Sequence, residues 1–302
     1  MKQILLFGRD GQVAYELRRT LASLGRVTVA ARDGLGPCAD LADPDQVRSV
    51  IRDTRPDIVV NAAAYTAVDA AEADAETAMA INGIAPGIMA EEASQIGAWL
   101  IHYSTDYVFD GSALSPYQET DATAPLGVYG QSKLAGEQAI AASGVAHLIL
   151  RTAWVYGARG RNFLATIQRL AREREQLRIV NDQIGAPTWS RSIAEATSQI
   201  LAQGALTPDY LRAHQGIYHL TCQGQCTWYE FARAIVEAMD PAERRANVIE
   251  PIATAEFPTP AKRPAYSVLS NKKLSQAFGI TLPDWRDALS LCLEDLSPKG
   301  HS

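Results

Sequence analysis

The sequence has few of the features that mark several large classes of protein. Its 302 residues include only four cysteines, and the close pair Cys222 and Cys226 has no second pair to complete a zinc site. No stretch approaches the roughly 18 consecutive apolar residues that a membrane-spanning helix needs. Basic residues are not in excess, because 28 Lys and Arg stand against 34 Asp and Glu. A disulfide framework, a membrane partner and a nucleic-acid partner are therefore all disfavoured.

The first residues also lack the pattern of an export signal. The apolar run at residues 2–7 is short, and no small-residue cleavage site follows it. The sequence therefore predicts a cytoplasmic protein. With 47% hydrophobic residues, such a chain can bury one large core or two unequal ones.

A glycine turn lies near the start of the chain, between a predicted strand and a predicted helix. Residues 2–7 are followed by Gly8-Arg-Asp-Gly11-Gln-Val-Ala14, and leucines then recur at helical spacing. The glycines allow a tight turn, so N–H groups at the helix start can face a pyrophosphate. This arrangement predicts a dinucleotide site of the Rossmann type, with Ala14 at the third glycine position.

The end of the second predicted strand indicates which cofactor binds. Residues 26–31 lead into Arg32, where a site for NAD usually has a carboxylate that binds the ribose hydroxyls. A guanidinium there can bind a 2′-phosphate, which predicts NADPH in preference to NADH. Alternatively, Arg32 only begins a loop and Asp33 contacts the ribose, which leaves NADH as a second candidate.

Strands and helices alternate through the first half of the chain. Asp43-Pro44 has the cap and the first-turn proline of a helix start, and a long helix is predicted at residues 74–96. Further buried strands are predicted at residues 56–61, 99–103 and 147–152. This alternation predicts an α/β protein with a doubly wound parallel sheet. We predict a Rossmann domain at residues 1–155 and a smaller substrate-binding lobe at residues 156–302, interleaved with the end of the sheet.

Candidate catalytic groups lie between residues 102 and 137. The predicted fourth strand delivers Thr105 to the edge of the sheet, and Tyr129 and Lys133 lie one turn apart if their segment is helical. A nearby ammonium lowers the pKa of a phenol, so such a tyrosine can pass a proton near neutral pH. Tyr-x-x-x-Lys is common on helix surfaces, and it points to catalysis here because a nucleotide site accompanies it.

A series of motifs then runs in order along the chain: Gly8-x-x-Gly11-Gln-Val, Asn61-Ala-Ala-Ala, Ser104-Thr-Asp-Tyr-Val-Phe, Tyr129-Gly-x-Ser-Lys133, Arg151-Thr-x-Trp-Val-Tyr156, Asn181-Asp-Gln-x-Gly-Ala-Pro-Thr188 and Pro258-Thr-Pro-Ala-x-Arg-Pro264. Together they resemble the dTDP-4-dehydrorhamnose reductases, which are extended short-chain dehydrogenases/reductases. The resemblance implies NADPH-dependent reduction of dTDP-4-dehydro-6-deoxy-L-mannose at C4 to dTDP-L-rhamnose. That is the last step toward an activated sugar for bacterial surface polysaccharides such as the lipopolysaccharide O antigen.

The resemblance also implies roles for individual residues. Tyr129 would donate a proton to the C4 oxygen, Lys133 would lower the pKa of Tyr129 and bind the nicotinamide ribose, and Thr105 would orient the carbonyl. Substrate contacts would come from Thr105, Asp106, Trp154 and Arg263. The cofactor would be lined by Gly8, Gly11, Gln12, Val13, Arg32, Asp40, Leu41, Ala63, Ala64, Tyr65, Tyr129 and Lys133. Taken singly, Trp154 equally suits a packed core and Asp106 a turn cap.

The resemblance raises the question of a metal, because some members of the family bind Mg²⁺ through carboxylates at a dimer contact. Glu16 and Glu294 stand at two of the ligand positions, but Arg191 stands at another. A cation there would repel a metal. We therefore expect no metal site, and a monomer or a weak homodimer.

Two other functions remain open from the sequence. A sugar-nucleotide epimerase or dehydratase has the same scaffold, but the lack of an acidic residue at the second strand end disfavours tightly held NAD. A non-catalytic regulatory subunit is disfavoured because Thr105, Tyr129 and Lys133 are all present.

Overall fold

The computed structural model describes residues 1–32, 35–206 and 208–296. Its strands are β1 (Lys2–Phe7), β2 (Gly25–Ala30), β3 (Ile58–Asn61), β4 (Trp99–Thr105), β5 (His147–Thr152), β6 (Val155–Tyr156), β7 (Gln176–Val180), β8 (Ile184–Gly185), β9 (Thr188–Trp189), β10 (Gly216–His219), β11 (Cys226–Thr227) and β12 (Val248–Ile252). Its helices are α1 (Gln12–Thr20), α2 (Pro44–Thr54), α3 (Val68–Ala71), α4 (Ala75–Met79), α5 (Ala85–Ile96), α6 (Val128–Ala142), α7 (Phe163–Glu173), α8 (Ser190–Leu206), α9 (Pro208–Ala213), α10 (Trp228–Glu237), α11 (Lys272–Phe278) and α12 (Trp285–Leu296). Short 3₁₀ turns lie at Leu21–Ser23, Asp106–Val108 and Thr254–Glu256, and a π turn lies at Ala80–Ile84.

A six-stranded parallel sheet, in the order β10-β5-β4-β3-β1-β2, organises the chain. The chain runs outward from β1 to β2 and then returns to the other side of β1 with β3. A crevice therefore opens at the carboxyl ends of β1 and β3, where sheets of this kind bind ligands. The predicted doubly wound α/β fold is confirmed.

The strands form because their apolar runs supply side chains to both faces of the sheet, and a parallel sheet must be covered on both. Leu6 and Val60 pack in one core with α1 and α8. Their neighbours Leu5 and Val59 point the other way and pack with α2 and α5. Each of these four side chains is fully buried. Burying one such side chain stabilises the fold by about 1.5–3 kcal/mol before the entropy cost of ordering it is subtracted.

The second half of the chain contributes to the same sheet and builds smaller sheets beyond it. Strand β10 pairs with β5, and α8 packs on α1. The smaller sheets pair β7 with β12, β8 with β11 and β6 with β9. The boundary near residue 155 stays a prediction. Within the described residues, no helix has both the length and the apolar character needed to cross a bilayer.

One predicted helix differs from the expectation. The sequence predicts a regular helix from residue 74 to residue 96, but the structure inserts the π turn Ala80–Ile84 between α4 and α5. The turn packs closely against α6, because a Cβ atom at Gly136 would lie 2.2 Å from the carbonyl O of Asn82. Such turns are frequent at functional sites.

We expect Gly136→Ala to lower the free energy of unfolding by about 1–3 kcal/mol, because the backbone must shift to admit the methyl group. Gly87→Ala is the matched control on α5, where the new Cβ atom would meet only the Cβ atom of Ala139 at 3.1 Å. Its unfolding free energy should change by less than about 1 kcal/mol, since helix propensity offsets the tight contact. Denaturant titration of both variants makes the comparison, and equal losses would contradict the contact with Asn82.

Candidate active site

Two adjoining cavities lie at the carboxyl edge of the sheet. The first has a volume of about 400 Å³, and its lining includes Gly8, Ala31, Arg32, Asp40, Leu41, Ala63 and Ala64. The second has a volume of about 480 Å³, and its lining includes Gly11, Gln12, Val13, Thr105, Asp106, Tyr129, Lys133 and Trp154. Ala63 and Ala64 belong to both. The structure thus brings the sequence-predicted residues together, except Tyr65 and Arg263.

The glycine turn joins the two cavities in a form that fits a dinucleotide. Gly8 has a φ of +106°, and a Cβ atom there would crowd Ala14 and the backbone of Ala62 at 3.3–3.4 Å. Gly11 precedes α1, whose first N–H groups have no side-chain cap in the described part of the chain. These N–H groups are suited to bind a pyrophosphate.

Arg32 lies at the carboxyl end of β2, on the rim of the first cavity, and it is exposed. This position suits contact with a phosphate on the adenosine ribose. The alternative carboxylate, Asp33, lies outside the described residues. Tyr65 lines neither cavity, and its hydroxyl instead approaches Asp74 at 3.5 Å.

Thr105 and Tyr129 meet in the second cavity. Thr105 ends β4, donates a hydrogen bond to Oδ1 of Asp106 at 3.0 Å and accepts one from the N–H of Tyr107 at 3.2 Å. The ring of Tyr107 packs edge-on against that of Tyr129, with centroids 5.5 Å apart. Burial raises the pKa of Tyr129 to about 12, although its hydrogen bond with Thr105 acts to lower that pKa.

The expected effect of Lys133 on Tyr129 is not found in the protein alone, where the pKa of the tyrosine rises rather than falls. The Lys133 amine is engaged elsewhere, since Nζ lies 2.6 Å from the carbonyl O of Tyr103 and 3.1 Å from Nε2 of His102. Burial also lowers the pKa of Lys133 to about 8. Tyr129 and Lys133 lie one turn apart on α6, as predicted, but burial is the largest influence on the pKa of each.

Asp106 is a second buried acid in the same cavity, and its exposed fraction is 2%. Burial raises its pKa to about 6, against the lowering effect of hydrogen bonds from Ser267 and Thr105. A carboxyl group with this pKa can accept hydrogen bonds from sugar hydroxyls or donate one to them.

Trp154 lines the second cavity while its ring is stacked on Trp228, with centroids 3.5 Å apart and planes 5° from parallel. Its φ is +46°, which is a strained value for a bulky residue. Gly185 leaves space for the ring, because a Cβ atom there would lie 2.3 Å from it. Trp228, which also lines this cavity, was not predicted, since no local pattern links the start of α10 to the sheet edge.

Asn82 is another residue that the sequence did not single out. It accepts a hydrogen bond from the N–H of Tyr65 at 2.9 Å and donates to the carbonyl O of Tyr65 at 3.0 Å. It also donates to the hydroxyl of Ser132 on α6 at 3.1 Å. Asn82 therefore fixes the loop after β3 against α6, the helix that carries Tyr129 and Lys133. A polar residue inside a predicted helix was the available signal.

A third cavity, of about 840 Å³, shares Thr66, Tyr107 and Trp228 with the second. Aromatic and basic side chains line it, among them Phe163, Phe257, Arg174, Arg178 and Arg263. Arg263 donates a hydrogen bond to Asp69 at 2.8 Å. Arg263 therefore lies beside the second cavity rather than in it.

The residues at the suggested metal position do not fit Mg²⁺. The guanidinium of Arg191 lies between two carboxylates, with Nε 3.3 Å from Glu16 and Nη1 2.5 Å from Asp295. Asp295, rather than Glu294, completes this contact. No group of three or more metal-ligating side chains occurs among the residues that the structure describes.

Comparison with known proteins agrees with this geometry. A family model described as the RmlD substrate binding domain matches residues 1–297. The dTDP-4-dehydrorhamnose reductase of Burkholderia thailandensis is 50% identical in an alignment of 298 residues, which covers 97% of this chain and 99% of the relative. The solved reductase of Clostridium acetobutylicum has a TM-score of 0.87 at 34% identity and covers 97% of this chain and 99% of its own. The Bacillus anthracis reductase, solved in complex with NADP, has a TM-score of 0.86 at 33% identity, with coverage of 97% and 99%. The chain belongs to the dTDP-4-dehydrorhamnose reductase family.

Proposed function

We propose that this protein reduces the C4 ketone of dTDP-4-dehydro-6-deoxy-L-mannose to dTDP-L-rhamnose with NADPH. The observation that carries the proposal is the meeting of Thr105, Tyr129 and Lys133 in a cavity that continues into a dinucleotide site. The names of the relatives support the same reaction.

The chain binds the cofactor through its backbone and a few side chains. NADPH, when bound, supplies the hydride. The uncapped N–H groups at the start of α1 bind the pyrophosphate, and Arg32 binds the 2′-phosphate. Lys133 binds the nicotinamide ribose.

Tyr129 serves as the proton donor. With a pKa raised to about 12, its phenol is protonated at neutral pH and can hydrogen-bond to the C4 oxygen. The phenolate left after proton transfer is costly in a buried site, so a positive charge on Lys133 is needed at that step. Thr105 holds the carbonyl against the phenol, and Asp106 and Trp154 contact the sugar.

The lining of the third cavity is suited to the nucleotide part of the substrate. It adjoins the catalytic cavity at Tyr107 and Trp228, and it combines aromatic surface with arginines. Aromatic rings stack on a nucleobase, and guanidinium groups bind a diphosphate. We assign the dTDP moiety to it, with Arg263 near the diphosphate.

Tyr129→Phe should lower kcat by about 100-fold to 10,000-fold, because the proton donor is lost. NADPH binding should persist, since the phenol is not its main anchor. The assay follows consumption of reduced nicotinamide with enzymatically generated substrate, and fluorescence titration measures binding. Tyr117→Phe is the control, because its hydroxyl bonds to Asp110 away from the site. Full turnover in Tyr129→Phe would move the proton donor elsewhere.

Arg32→Ala should raise the KM for NADPH about tenfold or more and leave the KM for NADH nearly unchanged, because a charged hydrogen bond to phosphate contributes about 1.5–3 kcal/mol. Arg26→Ala is the matched control, since Arg26 lies near the opposite end of β2 and is also exposed. Equal effects of Arg32→Ala on both cofactors would show that Arg32 does not contact the 2′-phosphate.

We further propose that the reaction needs no divalent cation, since Arg191 supplies the positive charge between α1 and α12. Arg191→Ala should lower the free energy of unfolding by about 1–3 kcal/mol, because it leaves two partly buried carboxylates unpaired. Arg169→Ala, which removes an exposed pair with Glu173, should cost less than about 1 kcal/mol. Denaturant titration, repeated with Mg²⁺ and with a chelator, measures both. Loss of wild-type turnover when the chelator removes Mg²⁺ would contradict the proposal.

A further inference from the structure

A buried chain of polar groups lies behind the catalytic pair. Lys133 Nζ contacts the carbonyl O of Tyr103 at 2.6 Å and Nε2 of His102 at 3.1 Å. The other ring nitrogen of His102, Nδ1, lies 3.1 Å from Nδ2 of Asn61. Oδ1 of Asn61 accepts a hydrogen bond from the N–H of Ala63 at 3.2 Å. Lys133, His102 and Asn61 are each at most 2% exposed, so these contacts are not shared with bulk water.

The backbone N–H of Ala63 determines where the protons lie in this series of polar groups. A backbone N–H can only donate, so the Asn61 atom that faces it is the oxygen, and the amide NH₂ of Asn61 faces His102. Nδ1 of His102 therefore accepts and carries no proton. A neutral imidazole has one N–H, which must then be on Nε2 and point at the amine of Lys133.

The amine of Lys133 must accept this hydrogen bond, because two donors cannot bond to each other. An ammonium has no lone pair, and only the neutral amine can accept. A doubly protonated His102 is not an alternative, since burial and the nearby lysine hold its pKa well below the ordinary value. The arrangement in the structure is thus that of an uncharged lysine.

We propose that His102 and Asn61 are positioning residues that form a two-state switch coupled to the charge of Lys133. In the state described, the amine is neutral, His102 carries its proton on Nε2, and Asn61 binds Ala63. In the other state, the amine is an ammonium, Nε2 accepts from it, Nδ1 carries the ring proton, and the amide of Asn61 turns its oxygen to Nδ1.

The change between the states takes up one proton from solvent and alters only N–H bonds. The ring proton on Nε2 passes to Nζ, a proton is added at Nδ1, and His102 stays neutral throughout. The N–H of Ala63, a residue that lines both cofactor cavities, loses its acceptor in the second state. The charge of Lys133 is therefore communicated to the loop after β3.

The surroundings place the change close to neutral pH. Burial lowers the pKa of Lys133 to about 8, and Glu137 acts in the opposite direction. Glu137 is itself bonded to Arg151, with Nη2 and Oε2 2.6 Å apart, so its charge is largely compensated. Ionisable side chains on α6 and on the elements packed against it are Tyr129 and Glu137 on α6, His102 and Tyr103 on β4, Asp106 and Tyr107 on the turn after it, His147 and Arg151 on β5, Asp69 on α3, Glu76 on α4, and Glu91 and Glu92 on α5. Below about pH 8 the charged state prevails, and above it the neutral state.

The consequence for the reaction rests on the proposed function, in which a charged Lys133 stabilises the phenolate of Tyr129. The charged state is then the active one. Turnover should fall as the pH rises through the pKa of Lys133, together with the change of tautomer.

The test is NMR of the protein labelled with ¹⁵N in its histidine rings, titrated over about two pH units on each side of the pKa of Lys133. Loss of a signal in His102→Gln identifies His102 among the five histidines. We expect His102 to change from Nε2–H at high pH to Nδ1–H at low pH, with a midpoint near 8. A single tautomer at every pH, or a ring that becomes doubly protonated over this range, would overturn the switch. This measurement needs no substrate, so its outcome is independent of the proposed reaction.

Two variants test whether Asn61 and Lys133 determine the tautomer of His102. Asn61→Asp puts an acceptor-only carboxylate beside Nδ1, so it should hold Nδ1–H at every pH. Lys133→Met removes the amine and should leave Nε2–H at every pH. Asn61→Asp should also move the alkaline fall of kcat upward by about one pH unit or more. An unchanged profile in a folded Asn61→Asp protein would overturn the link between the switch and catalysis.

Discussion

The close approach of α6 to the segments beside it is the constraint on which the active site depends. A Cβ atom at Gly130 would lie 2.2 Å from the carbonyl O of Tyr107, and one at Gly136 would lie at the same distance from that of Asn82. These glycines lie on either side of Lys133 along the helix, and they let α6 lie close to the 3₁₀ turn after β4 and to the π turn. The phenol and the amine consequently lie close to the end of β4, and burial is the largest influence on the pKa of each.

Much of this arrangement could be predicted from local sequence. The apolar runs of β1 and β3, the glycine turn after β1 and the four-residue spacing of Tyr129 and Lys133 are local features, and each has a direct geometric meaning. The position of Thr105 at a strand end follows in the same way, because parallel strands finish at one edge.

The features that escaped prediction depend on contacts between distant segments. Trp228 reaches the cavity from α10, and Asn82 acts through a π turn that no propensity encodes. The direction of the pKa shift of Tyr129 was wrong because residue spacing reports which groups are neighbours and not how deeply they are buried. Arg191 shows the reverse case, because its position in the sequence singled it out and the structure shows its ion pairs with Glu16 and Asp295.

The pairing of β10 with β5 also bears on how the chain folds. Strand β10 and helix α8 are supplied by the second half of the chain, yet β10 completes the sheet and α8 covers α1. Until they emerge from the ribosome, the apolar surface of α1 and the free edge of β5 stay uncovered. Native contacts of such large sequence separation slow folding and favour chaperone engagement during synthesis. A protein with a dinucleotide site near its amino terminus therefore completes the support for that site only after most of its length has been made.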